Sequence, residues 1–216
     1  MKKRIALILA GTMLMSFVLS ACGDDKTASE NDAKKEDTVD TSSDENKKTI
    51  FTVGFDAEYP PYGYMDENGE YTGFDLELAE AVCKLEGWEL VKKPINWDAK
   101  DMELNSGSID CIWNGFTMNG REDEYTFSTP YVDNSQVIVV AEDSGINTLE
   151  DLAGKTVGVQ AASAALELLQ SDEKDGQKAL ADTFGALNEF ADYNTAFTEL
   201  QAGALDALAI DIGVAN

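Results

Sequence analysis

Histidine is absent from this chain of 216 residues, and arginine occurs only as Arg4, in the opening basic cluster, and as Arg121. Without imidazole, proton transfer near neutral pH would fall to carboxylates such as Asp56. No carboxylate pair is marked out by spacing and no cluster has metal-ligand spacing, so the sequence calls for no catalytic residue, metal or cofactor. Basic residues are scarce as well: 16 Lys and Arg stand against 41 Asp and Glu, a net charge of −25. Three of those 16 are Lys2, Lys3 and Arg4; beyond them 13 oppose the same 41, a net of −28. So large an acidic excess argues against a nucleic-acid partner and against adhesion to anionic lipid by charge. In that setting Arg121 is a candidate anchor for an anion, because guanidinium offers a fixed fork of donors that fits a carboxylate and lysine does not. A structural ion pair with one of the many carboxylates is the competing reading.

Long apolar runs are also missing. Ile5 to Val18 is the longest apolar stretch, too short for a membrane span and followed by no stop-transfer pattern, so with Met1–Arg4 before it the segment reads as a secretory signal over residues 1–21. Leu19-Ser20-Ala21-Cys22 resembles a bacterial lipoprotein lipobox. That resemblance implies cleavage before Cys22, diacylation of its thiol and a lipid anchor at the outer face of the cytoplasmic membrane. From Gly23 to Lys48 there is no aromatic residue and one large aliphatic, Val39, so residues 22–48 are expected to be a disordered acidic linker. With Cys22 spent, Cys83 and Cys111 remain, expected on a helix and in a buried strand; two inert thiols or one disulfide both fit an exported protein.

The rest of the chain repeats itself. TVGF from Thr52 is echoed by TVGV from Thr156, and Glu103-Leu104-x-x-Gly107-x-Ile109-Asp110 by Glu199-Leu200-x-x-Gly203-x-Leu205-Asp206. Two echoes in the same order predict two lobes of one design, residues 49–140 and 141–216. Periodicity places strands at Thr49–Phe55, Trp88–Ile95 and Ile109–Trp113, and helices at Asp75–Glu86 and through Met102 and Leu104. Ser135–Ala141 reads as a strand crossing between lobes. The second lobe follows with a helix start near Leu149, strand Lys155–Gln160, helix Ser163–Gln170, an acidic loop, strand Ala186–Phe190, helix Thr195–Ala202 and strand Leu205–Ile210. Alternating strands and helices imply an α/β fold with mostly parallel sheets.

Ligands of open α/β sheets sit beyond the carboxyl ends of the strands. The residues there are Asp56 and Tyr59, Asn114 to Thr117, Gln160 to Ala164, and Asp211. Gln160 to Ser163 also opens a helix, whose free amides favour an anion. Acid at one place, arginine and a helix start at another, describe a receptor for a zwitterion.

GFDLELA at Gly73–Ala79, preceded by EYPPY at Glu58–Tyr62, is similar to the signature of bacterial extracellular solute-binding proteins for polar amino acids, family 3, the receptors of ABC importers; NGFTMNGRE at Asn114–Glu122 resembles the same family's ligand loop. The resemblance implies a bilobed, type II periplasmic-binding fold, a monomer, a free amino acid as ligand and the permease subunits of an ABC transporter as partner. It implies that Arg121 clamps the α-carboxylate and that Asp211 pairs with the α-ammonium, helped by Thr117 and the carbonyl of Gly115. Tyr59, Phe116 and Trp97 or Trp113 would shape the side-chain pocket, with Asp56 near its tip. Where the family has a glycine and two hydroxyl residues, this chain has Ala162-Ser163-Ala164, leaving the carboxylate to backbone N–H groups, Ala164 included, with Ser163 as substitute. The resemblance also implies further lobe-two strands past Asn216, so the second lobe is expected to be incomplete.

Plainer readings accompany these. Thr117 could bond its local backbone, Tyr59 could pack a turn, Trp97 and Trp113 could be core, and Asp211 could cap a turn. Asp75 reads as the N-cap of its helix. A dehydratase-like enzyme or a sensory module on the same fold are the rival functions.

Overall fold

The structure, a computed structural model, describes residues 48–216, so the signal, Cys22 and the linker lie outside it. Three sheets form. The first is parallel, with β1 (Ile50–Phe55) between β5 (Glu89–Pro94) and β6 (Cys111–Ile112). The second has four strands in the order β7 (Gln136–Val140), β10 (Ala207–Asp211), β8 (Thr156–Gln160), β9 (Ala186–Phe190), parallel except for β7. A small antiparallel sheet of β2 (Glu58–Tyr59), β3 (Gly63–Met65) and β4 (Tyr71–Thr72), unforeseen in the sequence, follows β1.

Helices cover the sheets. In the first lobe α1 (Phe74–Glu86) packs Leu76 and Ala79 against Val53 and Phe55, buries Cys83 as well, and ends at Gly87 in the left-handed conformation. After a short 3-10 turn, α2 (Lys100–Asn105) leads into β6. The second lobe carries α3 (Ala164–Gln170), α4 (Lys178–Ala181), α5 (Tyr193–Gln201) and α6 (Ile212–Ala215). Its core joins Val157 and Val159 of β8 and Ala207 and Ala209 of β10 to Leu166 and Leu169 of α3.

Several expectations need correction. Ile109–Trp113 shortens to Cys111–Ile112, since only these two residues fall in register opposite β1, at Val53 and Gly54; Cys111 is half-buried and both thiols are free. The helix start expected near Leu149 is there, as one short 3-10 turn over Leu149–Leu152. The expected crossing strand, β7, pairs along its whole length with β10 of the second sheet. Asp75 is not an N-cap; Gly73 holds that position, and the Asp75 side chain reaches elsewhere.

The internal repeat is reproduced atom by atom. In the first lobe Asp110 N–H donates to Thr52 O at 2.8 Å while Thr52 N–H donates to Asp110 Oδ2 at 2.7 Å. In the second, Asp206 N–H donates to Thr156 O at 2.9 Å and Thr156 N–H to Asp206 Oδ2 at 2.8 Å. The glycines two residues on are also matched. A Cβ on Gly54 would lie 2.5 Å from Ile109 Cδ1, and one on Gly158 would lie 2.5 Å from Leu205 Cδ1. Each lobe thus presses an aliphatic side chain against bare backbone, which is why both strands read TVG.

Candidate functional site

The carboxyl ends of β1, β8 and β10 deliver Asp56, Gln160 and Asp211 to one place between the lobes, all at most 5 % exposed. A crevice of about 10 Å³, room for about one water, is lined by Tyr59, Gly115, Phe116, Thr117, Ser163, Ala164 and Asp211, with Trp97 and Gln160. Seven of the nine expected binding residues therefore meet around it. Asp56 touches it through Gln160, whose Nε2 donates to Asp56 Oδ2 at 2.7 Å. Arg121 flanks it, donating from its two terminal nitrogens to the carbonyls of Thr117 at 3.5 Å and Ala162 at 3.4 Å. Beside the crevice opens a cavity of about 850 Å³ between the 115–136 segment and α3.

Each charged group already has partners. Asp211 accepts from Tyr59 OH at 2.7 Å and from Gln136 Nε2 at 2.5 Å. Arg121, 4 % exposed, lies 4.8 Å from the Phe116 ring and forks onto Glu167 of α3: Nε donates at 3.0 and 3.2 Å, and a terminal nitrogen at 2.5 Å. The ion pair that competed with the anion-anchor reading is thus present. Lys100, also buried, lies over Trp97 and donates to Ala162 O at 3.3 Å. Trp97 belongs to the crevice wall, whereas Trp113 packs against the first-lobe core.

The loop from Asn114 to Thr117 is held from behind. Asp75, fully buried, accepts from Gly115 N–H at 2.6 Å and from Tyr131 OH at 2.7 Å. Asn134 Nδ2 donates to Gly115 O at 2.7 Å and to Thr117 Oγ1 at 2.8 Å, so Thr117 bonds a distant amide and not its local backbone. Ser163 Oγ accepts from Leu166 N–H at 3.1 Å as the N-cap of α3. Ala162, where the family resemblance expects glycine, has φ 53° and is the one non-glycine at positive φ among the described residues.

Burial pushes the carboxyls of Asp56, Asp75 and Asp211 above the ordinary aspartate value of 3.8. Hydrogen bonds pull each part of the way back, from Glu58 N–H and Gln160 for Asp56, Tyr131 and Gly115 N–H for Asp75, and Gln136 and Tyr59 for Asp211. Burial pushes Lys100 down. These are the signs expected where charge is held in a low dielectric for another charge to meet.

Sequence reasoning missed Glu167, Asn134, Gln136 and Lys100. Glu167 stands in the first turn of a helix read only for the free amides at its start, and Asn134 and Gln136 sit at the entry to a strand, so no motif marks them. The i, i+3 step from Ala164 at the crevice to Glu167 was the one available signal.

Curated proteins resemble this chain in sequence, and solved structures resemble it in fold. The chain is 34 % identical over 164 residues to the arginine-binding extracellular protein ArtP of Bacillus subtilis, covering 76 % of this chain and 57 % of ArtP. It is 32 % identical over 162 residues to the L-cystine-binding protein TcyJ of Escherichia coli, covering 74 % of this chain and 58 % of TcyJ. It therefore spans a little over half the length of these relatives. A histidine-bound ABC uptake transporter substrate-binding protein from Streptococcus pneumoniae superposes with a TM-score of 0.72 at 36 % identity, covering 77 % of this chain and 68 % of that one. Residues 51–211 match the bacterial extracellular solute-binding proteins, family 3, and this chain belongs to that family.

Proposed function

We propose that this chain is the substrate-binding lipoprotein of an ABC importer, held at the outer face of the cell membrane by a lipid on Cys22. It captures a polar amino acid between its lobes and delivers it to the permease. Arg121 takes the α-carboxylate together with the backbone at Ser163 and Ala164; Asp211 takes the α-ammonium with Gly115 O and Thr117. Tyr59, Phe116 and Trp97 pack the side chain, and Asp56 meets its polar end. Relatives that bind arginine, cystine and histidine support an amino acid as ligand.

The observation that carries this reading is that the one arginine of the described chain, from the first lobe, and a strand-end aspartate of the second flank the same buried crevice. Binding of this kind makes and breaks no covalent bond. Charge-assisted hydrogen bonds contribute about 1.5–3 kcal/mol each, and micromolar affinity requires about 8 kcal/mol, so two charged anchors and aromatic packing suffice.

A thermal-shift panel of the L-amino acids, cystine included, tests it on the full-length protein. A ligand at a hundredfold excess over its Kd stabilises by about 2.7 kcal/mol. Selective stabilisation by one amino acid or a small group, lost in Arg121→Ala, is the expected result. A flat panel on folded protein removes the receptor reading, and an unchanged shift in Arg121→Ala removes the anchor.

A further inference from the structure

The groups expected to grip the two ends of an amino acid are gripping parts of this chain that resemble those ends. Glu167 presents a carboxylate to Arg121 through the fork that a free carboxylate would use, and its side chain is 53 % exposed at the edge of the larger cavity. The other Arg121 bonds are to carbonyls at 3.4 and 3.5 Å, near the limit of hydrogen bonding. Glu167 therefore holds the strongest donors of the guanidinium and has open space to swing into.

The opposite end shows the same substitution. Buried Asp211 and Gly115 O and half-buried Thr117 Oγ1 form a group of acceptors, and each receives an amide N–H: Asp211 from Gln136, the other two from Asn134. Both amides turn their nitrogen inward although the oxygens, Asn134 Oδ1 and Gln136 Oε1, are left buried without a partner. An unpartnered buried acceptor is costly, and two side by side mark a locus that demands donors. An ammonium satisfies the same acceptors and leaves no orphaned oxygen.

From these observations, and resting on the receptor reading above, we infer that Glu167 and Asn134 are internal stand-ins for the α-carboxylate and α-ammonium, which an incoming amino acid displaces, and that they set its affinity. Glu167 belongs to the second lobe and Arg121 to the first, so this stand-in also holds the lobes together. The larger cavity receives both displaced side chains, since both line it.

Two measurements on full-length wild type, Glu167→Ala and Asn134→Ala test this: small-angle scattering in amino-acid-free buffer, and calorimetric titration with L-arginine, L-histidine, L-glutamine and L-cystine. Alanine keeps helix α3 favourable, so Glu167→Ala folds. Its radius of gyration should rise in buffer, and its affinity for whichever probe wild type binds should tighten about three- to fivefold, the share of a half-exposed ion pair. Asn134→Ala should tighten binding in the same sense. Weaker or unchanged binding in Glu167→Ala would overturn the inference, because a merely structural ion pair supports Arg121 and its loss loosens the site. If wild type binds none of the four and none of the other L-amino acids stabilises it, the receptor reading falls, and the scattering comparison still decides whether Glu167 holds the lobes closed.

Discussion

Adding one methyl group to Gly54 should destabilise the first lobe, and removing one from Ile109 should undo much of the damage. The Gly54→Ala Cβ would lie 2.5 Å from Ile109 Cδ1, 3.1 Å from its Cγ2 and 3.4 Å from Ile95 Cδ1. Ile109 is 2 % exposed, so it has little room to yield. Overpacking of this kind costs about 1–3 kcal/mol, and each kcal/mol lowers Tm by about 2–4 °C in a chain of this size. Ile109→Val deletes the nearest clashing carbon and by itself costs about 0.5–1.5 kcal/mol. The double variant should therefore be at least as stable as Gly54→Ala, with a coupling of about 1 kcal/mol or more in a double-mutant cycle. Urea titration followed by circular dichroism reads all four proteins. Strictly additive losses would refute the argument, since they would mean that Ile109 is not what excludes a side chain from position 54. Gly158→Ala should behave similarly against Leu205, with less complete rescue because Phe190 and Leu208 also crowd it at 3.2 and 3.3 Å.

Other outcomes follow from the strained and buried groups. Ala162→Gly should raise stability by up to about 1 kcal/mol, because alanine carries a left-handed penalty of about 1–2 kcal/mol at φ 53°, partly offset by the greater freedom of unfolded glycine; a lowered Tm would refute the claim of strain. Mild acidification should also stabilise the fold. Folding raises the carboxyl pKa of Asp56, Asp75 and Asp211, so the folded state binds their protons more tightly. Stability should grow as pH falls from their folded values toward 3.8, then shrink as Asp66, Glu103 and Asp151, whose pKa values are held down by hydrogen bonds, become protonated. A Tm that falls steadily from pH 7 downward would contradict this.

Much of the fold was legible because its signals are local. The stripe Leu76, Ala79, Cys83 and its glycine stop define α1, and β9 falls where its strand pattern does. The doubled phrases revealed two lobes because each encodes a contact, Asp110 with Thr52 and Asp206 with Thr156, that depends on residue identity. Asp75 misled because an acidic residue at a helix start looks like a cap, while its real partners, Gly115 and Tyr131, lie 40 and 56 residues away. The crevice residues were legible through strand ends and motif resemblance. Their present partners were not, because Glu167 and Asn134 reach the site by tertiary approach alone.

The paired clamps at the bases of the sheets also bear on how the proposed receptor could change its ligand. Asp110 and Asp206 pin the strands where they begin, using a side-chain carboxylate to take up an amide. Asp56, Gln160 and Asp211 stand at the far ends of the same strands. Register is thus secured at one end of each sheet and chemistry is displayed at the other. On the proposed function, substitutions at the display end would alter what is recognised without letting the strands slip, so a lineage could exchange one ligand for another while keeping its frame.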